Sequence, residues 1–413
     1  MNMAFGDGPH DAALRAAWTE FCARLQRAGE RAFKDHNPAS GPHRVDAFRF
    51  LTQNLGQAFD LALETRDANY PVLHSFCGPT RKLGGDCADF TYQQAWIDGR
   101  STYRITGTRG TSRFFNVTVQ GRRTPGEGVL HEPFGDAPQA NLFGQQLRVG
   151  ADGRFELYVG GAERGHNWLP TTPESRKLFI RQGFDRWDET PAQLRIERVD
   201  MAVPKPLPTP GEMVEAMQWA GDFVTGLMSD WPEYPFRQDW PEYPFRHGGV
   251  DAESPNTFPR AAATDADGKR GRAAANMYWE LAPDEALIVE FDAHPGLWMF
   301  TNMGVFFNSM DYLYRPVSYT PSRTTVDGDG RIRLVMAHRD PGVHNWLDTQ
   351  GFERGNLTYR HMLEGEPAVL DTRVVGHEEL LDALPKDTVM VTPSQRADAM
   401  WERFRGIRRR YVL

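Results

Sequence analysis

Cysteine is nearly missing from this chain. Three residues among 413 (Cys22, Cys77 and Cys87) are too few and too scattered for a disulfide framework or a structural zinc site. Lysine is also scarce, with six residues (34, 82, 177, 205, 269 and 386) among 47 basic ones; the other 41 are arginine, which reads as coding bias. No run of ~18 apolar residues occurs, which excludes a membrane-spanning helix. Residues 1–7 have neither the basic start nor the apolar core of a secretory signal, so a reducing cytoplasm is the expected compartment and the sequons at Asn116 and Asn356 carry no meaning. The formal charge of -8 argues against general nucleic-acid binding. A Gly-x-Ser-x-Gly elbow, a Walker loop, a dinucleotide fingerprint and a His-Glu-x-x-His helix are all lacking, which weakens hydrolase, nucleotide-hydrolase and dehydrogenase readings. No organic cofactor and no metal is expected.

What is present is a repeat. His166-Asn167-Trp168-Leu169 returns as His344-Asn345-Trp346-Leu347, 178 residues on. Asp152-Gly153-Arg154 with Phe155, Leu157 and Val159 matches Asp329-Gly330-Arg331 with Ile332, Leu334 and Met336. Leu178 and Arg181 match Leu357 and Arg360, residues 92–98 resemble 278–284, and 113–115 resemble 298–300. Order and spacing hold over roughly a hundred residues per copy, so the chain carries one module twice.

Each copy reads as β. Residues 103–106, 115–119 and 155–159 in the first copy, and 286–291, 296–307 and 331–337 in the second, run apolar or alternate at strand length. Asp-Gly at 152 and 329 is hairpin-turn chemistry, and residues 327–331 hold too few acidic side chains for a calcium loop. The expected class is mainly β with helical additions: two related β-sandwich or jelly-roll-like modules. The expected division is a helical region (1–70), module 1 (71–203), a Pro-rich linker with a helix and flexible loop (204–275), module 2 (276–376) and C-terminal helices (377–413). Leu14, Trp18, Phe21, Cys22 and Leu25 predict the buried face of the first helix, and Ala397, Met400, Trp401 and Phe404 that of the last. The arginines at 403, 405, 408, 409 and 410 fit the favoured charge at a helix C-terminus. The octapeptide at 230–237, repeated at 239–246, reads as a duplication in an exposed loop, with a docking surface as the alternative.

The string from His338 to Thr349 (His-Arg-Asp-Pro-Gly-Val-His-Asn-Trp-Leu-Asp-Thr), with Gly351 and Arg360, resembles the bacterial family catalogued as domain of unknown function 1214. So do Gly85-Asp86-Cys87-Ala88-Asp89-Phe90-Thr91-Tyr92 and Thr102-Tyr103-Arg104-Ile105-Thr106-Gly107. The resemblance runs from about residue 43 to about residue 375 and implies β-sandwich proteins with helical additions. It implies no activity.

Candidate chemistry lies in polar clusters at strand ends. Asp340, His344, Asn345, Asp348 and Arg354 form the strongest, because a histidine oriented by a carboxylate can serve as general base. Arg354 or Arg360 would hold an anionic group, and Trp346 would wall or stack on a ligand. His338, Asp340 and His344 are metal-ligating types, but their spacing fixes no geometry. His166 and Trp168 are the counterparts in copy one, which lacks the surrounding carboxylates; if one copy is active, it is copy two. Asp86, Asp89 and Tyr92, with Arg104, form a second cluster that reads first as a turn. The competing view of the repeated motif is structural: Asn345 caps a loop, Trp346 fills the core and Asp348 pairs with an arginine. The functional expectation is an enzyme for a largely apolar or mixed small molecule, using cofactor-independent acid/base chemistry of lyase, isomerase or hydrolase type. The alternatives are a noncatalytic ligand-binding or assembly protein and a carbohydrate-active sandwich. The expected partner is a small-molecule ligand, not nucleic acid or membrane, and self-association into a homo-oligomer stays open.

Overall fold

Turn signals every few residues and strand-length apolar runs build two sandwiches of the same design. The computed structural model describes residues 8–122, 136–236, 250–263 and 272–411. Module 1 contains β1 (His74–Ser75), β2 (Phe90–Trp96), β3 (Tyr103–Thr108), β4 (Phe114–Gly121), β5 (Ala137–Phe143), β6 (Arg154–Val159), β7 (Trp168–Leu169), β8 (Ser175–Gly183) and β9 (Gln193–Arg198). Its sheets run β1-β2-β8-β4-β5 and β7-β6-β3-β9. Module 2 contains β10 (Ala262–Ala263), β11 (Ala273–Glu280), β12 (Glu285–Asp292), β13 (Leu297–Met303), β14 (Ser318–Tyr319), β15 (Arg331–Ala337), β16 (Trp346–Asp348), β17 (Arg354–Leu363) and β18 (Asp371–Gly376). Its sheets run β10-β11-β17-β13-β14 and β16-β15-β12-β18, the same order moved on by nine strands. The repeat in the sequence is therefore a repeat of topology.

Each sandwich has its own core. Tyr103, Val117, Leu157 and Ile180 fill module 1. Trp279, Phe291, Trp298 and Leu334 fill module 2. The outer faces of the five-stranded sheets are covered too, by a third core that joins Phe90, Phe114, Met299 and Phe306 to the helices α1 (Asp11–Glu30), α2 (Gly41–Phe59) and α3 (Pro210–Glu233). This explains why β4 is buried at every position and shows no alternation. Asn116 on β4 and Asn356 on β17 are fully buried, so neither sequon is open to a glycosyltransferase. No helix among the described residues is long and apolar enough to cross a membrane.

Two helices differ from expectation. α1 buries Ala17, Phe21 and Ala28, while Trp18 is 56% exposed and Cys22 is exposed. The small residues set that face, because α3 approaches across them. The last helix, α4 (Pro393–Tyr411), opens on a capping box: Gln395 N–H donates to Thr392 Oγ1 and Thr392 N–H to Gln395 Oε1. Its buried face is Arg403, Gly406, Ile407 and Arg410, whereas Trp401 is exposed. The spacing is helical but the phase is turned, because a carboxylate far off in sequence receives the arginines. The second octapeptide copy (239–246) and the middle of the expected flexible loop (264–271) lie outside the described residues.

Candidate functional site

The repeated His-Asn-Trp-Leu motif closes the strand-end crossover in the same way in both copies. Asn345 Nδ2 donates to Thr325 O (2.9 Å) and Arg333 O (3.1 Å), and its Oδ1 accepts from Thr325 N–H (2.9 Å). Asn167 Nδ2 donates to Arg148 O (2.7 Å) and Glu156 O (2.9 Å), and its Oδ1 accepts from Arg148 N–H (2.8 Å). The indole Nε1 of Trp346 donates to Ala337 O at the end of β15, and that of Trp168 to Gly160 O just past β6. Each motif thus pins its short crossover strand beside the strand before it.

The candidate residues around copy two point to several places. Asp348 is buried and takes Arg315 Nη1 at 2.7 Å and Gln350 N–H at 2.7 Å. Arg354 pairs with Glu280 at 2.9 Å, and Arg360 on β17 donates Nη2 to Gly85 O. His338 donates Nε2–H to Ala282 O (3.1 Å) and accepts from Thr349 Oγ1 (2.7 Å) at Nδ1. Asp340 holds Arg396 of α4 at 2.9 Å. His166 accepts from Arg148 Nη1 at 2.6 Å on the exposed side of module 1. Asp86 accepts from Ser309 N–H (2.8 Å) and Oγ (2.5 Å), and Ser309 Oγ also takes Lys82 Nζ at 3.0 Å. Tyr92 Oη accepts from Cys87 N–H at 3.0 Å. Among the described residues no group of three metal-ligating side chains converges.

One cavity gathers chemistry. It lies where the loop after β8, the loops around β14 and α4 meet, with a volume of about 840 Å³. His344 is the one predicted residue on its wall; Arg186, Arg323, Arg396, Arg403, Arg405 and Arg409 line it against only two carboxylates, Asp188 and Glu402. The modules are clamped there by Asp185, which accepts from Ser322 N–H at 3.0 Å and from Arg113 Nη1 at 2.8 Å.

The floor is over-charged. Asp89, fully buried, takes Arg323 Nη2 at 2.6 Å and Arg410 Nη1 at 3.1 Å. Burial pushes its carboxyl up, but Arg323, Arg410 and Arg403 outweigh that and hold it below the usual carboxylate range. One carboxylate faces three guanidiniums. Burial, then Arg323, push Arg403 down. Arg323 Nη1 and Arg403 Nε are buried donors with no acceptor among the described residues. Leaving such charged donors unmet costs upwards of ~1–3 kcal/mol each. Arg405, exposed at the rim, forms no ion pair among the described residues.

His344 is poised by its neighbour. Because Asn345 turns its amide N–H groups to two carbonyls, its Oδ1 faces His344 Nδ1 at 3.0 Å. Nδ1 therefore carries a hydrogen, which leaves Nε2 as the nitrogen able to exchange a proton. Arg396 Nη1 fixes the backbone by donating to His344 O at 3.1 Å.

Sequence reasoning missed the arginines, Trp187 and the 389–391 wall, because they meet only through the fold. The density of arginine at 403–410 was the available signal.

Residues 88–182 match the family model described as Protein of unknown function (DUF1214), in line with the motif resemblance. An uncharacterised protein from Burkholderia cenocepacia has a similar solved structure, at 28% identity and a TM-score of 0.75, covering 89% of this chain and 99% of that one. The VPA0106 protein from Vibrio parahaemolyticus aligns at 13% identity and a TM-score of 0.42, over 85% of this chain and 100% of that one. No curated protein matches this chain. Neither solved structure carries a named activity.

Proposed function

We propose that this protein binds a small organic anion in the cavity beneath α4, and that His344 Nε2 exchanges a proton with it. One observation carries the reading: six arginines against two carboxylates line a ligand-sized cavity whose wall also holds a histidine with Nδ1 turned to an amide oxygen. This keeps acid/base chemistry on a small molecule as the activity, and narrows it to a single proton-transfer group. A noncatalytic binding role is the second reading, favoured by the neutral Asn345 standing where a catalytic carboxylate would sit. Three free cysteines, two of them buried, agree with a reducing cytoplasm as the place of work.

The test is calorimetric titration of the full chain with organic phosphates and carboxylates, in buffers of different ionisation heat. The expected result is saturable binding with proton uptake. Arg405→Ala should weaken binding about tenfold, the loss of one charge-assisted contact of about 1.5 kcal/mol. His344→Gln should retain binding and lose the proton uptake. Wild-type affinity in Arg405→Ala overturns the anion site, and unchanged proton uptake in His344→Gln overturns the role of the imidazole.

A further inference from the structure

The cavity is polarised along α4. Toward the helix C-terminus, Arg323 lies 4.0 Å and Arg403 5.0 Å from the centre of the Trp187 ring, and Arg409 donates to Trp187 O at 2.7 Å. α4 comes this close because residue 406 is glycine; a Cβ there would sit 2.7 Å from Trp187 Cε3. Toward the helix N-terminus the charge is cancelled, since Arg396 is held by Asp340. There the wall is the extended segment 389–391, tied to the loop before β16 by His344 N–H to Val389 O (2.8 Å) and Val391 N–H to Gly342 O (2.7 Å). Val389 and Met390 stay 40% and 49% exposed while lining the cavity, and Met400 of α4 joins them. His344 stands at this apolar end. Arg396 and Arg403 are seven residues apart on one helix, so the two ends lie about 10 Å apart.

We infer that the ligand is an elongated amphiphilic anion: a carboxylate or phosphate head held at the Trp187 end, an apolar body against Val389, Met390 and Met400, and its proton-exchanging atom about 10 Å from the head. This rests on the anion reading of the same cavity. Its volume supports an organic body, since about 840 Å³ falls within the range of small-molecule sites and far exceeds a bare ion. A head group alone would fill the arginine end and leave the apolar wall in water.

Calorimetry on the full chain with straight-chain carboxylates of two, four, six and eight carbons, and with the matching alkyl phosphates, tests this. Each added methylene should tighten binding about fourfold until the wall is covered. The tighter series identifies the head. Met390→Ser should shrink the gain per methylene, and Arg405→Ala should weaken every member by one factor with the gain unchanged. Affinity independent of chain length overturns the amphiphile while leaving the anion site standing. Failure of every member and of inorganic phosphate overturns both. A chain-length gain that survives intact in Met390→Ser overturns the placement of the body on this wall.

Discussion

Asn345→Ala removes two donors and one acceptor from the interior of module 2. Three backbone groups lose their partner: Thr325 O, Arg333 O and Thr325 N–H. Asn345 is 3% exposed, so water cannot take its place without opening the loop. At about 1–1.5 kcal/mol for each buried group left unmet, the loss is about 3–5 kcal/mol. Asn167→Ala removes the matching three bonds at a half-exposed site, where water does replace them, and should cost about 1 kcal/mol. Asn345→Asp keeps the acceptor but turns an oxygen toward two carbonyls, and should be as damaging as alanine. Urea unfolding followed by intrinsic fluorescence reads all three, as shifts in midpoint at constant slope. If Asn345→Ala falls within about 0.5 kcal/mol of the parent, the side chain is not holding the crossover and the structural account of the motif is refuted.

Further outcomes follow from two buried charges, Asp89 and Lys82. Asp89→Asn leaves Arg323 and Arg410 without their anion and should cost about 3–5 kcal/mol in denaturant unfolding, part of it regained on adding a cavity-binding anion. In the parent the Asp89 carboxyl titrates below 3.8, so its stabilisation is present at neutral pH and fades as pH drops under about 4 through the folded value. Lys82, buried on Tyr312 and Ser309, is pushed down by burial from 10.5 to about 8. Between those values the unfolded chain binds more protons, so stability should rise with pH across that window by up to about 3 kcal/mol. Lys82→Met should flatten that rise, which pH-dependent urea midpoints measure.

The duplication was legible because its anchors are local. Asp152-Gly153 and Asp329-Gly330 mark turns whose glycines adopt φ of 78° and 82°, and the His-Asn-Trp-Leu copies mark the crossover strands. Both signals need only a few consecutive residues. The cavity was not legible, since its floor depends on a pairing of Arg410 with Asp89 across 321 residues. Apolar periodicity alone placed Trp401 inside α4's packed face, and no neighbour in sequence announces that Asp89 and Trp187 will draw the arginines in instead. His344 was found because the motif singled it out. Its tautomer, which decides what it can do, comes from an amide whose orientation only the fold fixes.

α4 lies across the seam of the two modules, holding His344 of the second copy through Arg396 while Arg409 and Arg410 reach Trp187 and Asp89 of module 1; among the described residues no helix does the same for the first copy's motif. After β9 the chain leaves on an extended linker into α3, which packs on α1 and α2, and His166 is left beside Arg148 at the surface. The two modules are thus alike in topology and unlike in what surrounds their motifs. On the anion reading of the cavity, a chain with two copies of the motif should take up one equivalent of ligand, which the calorimetric stoichiometry measures.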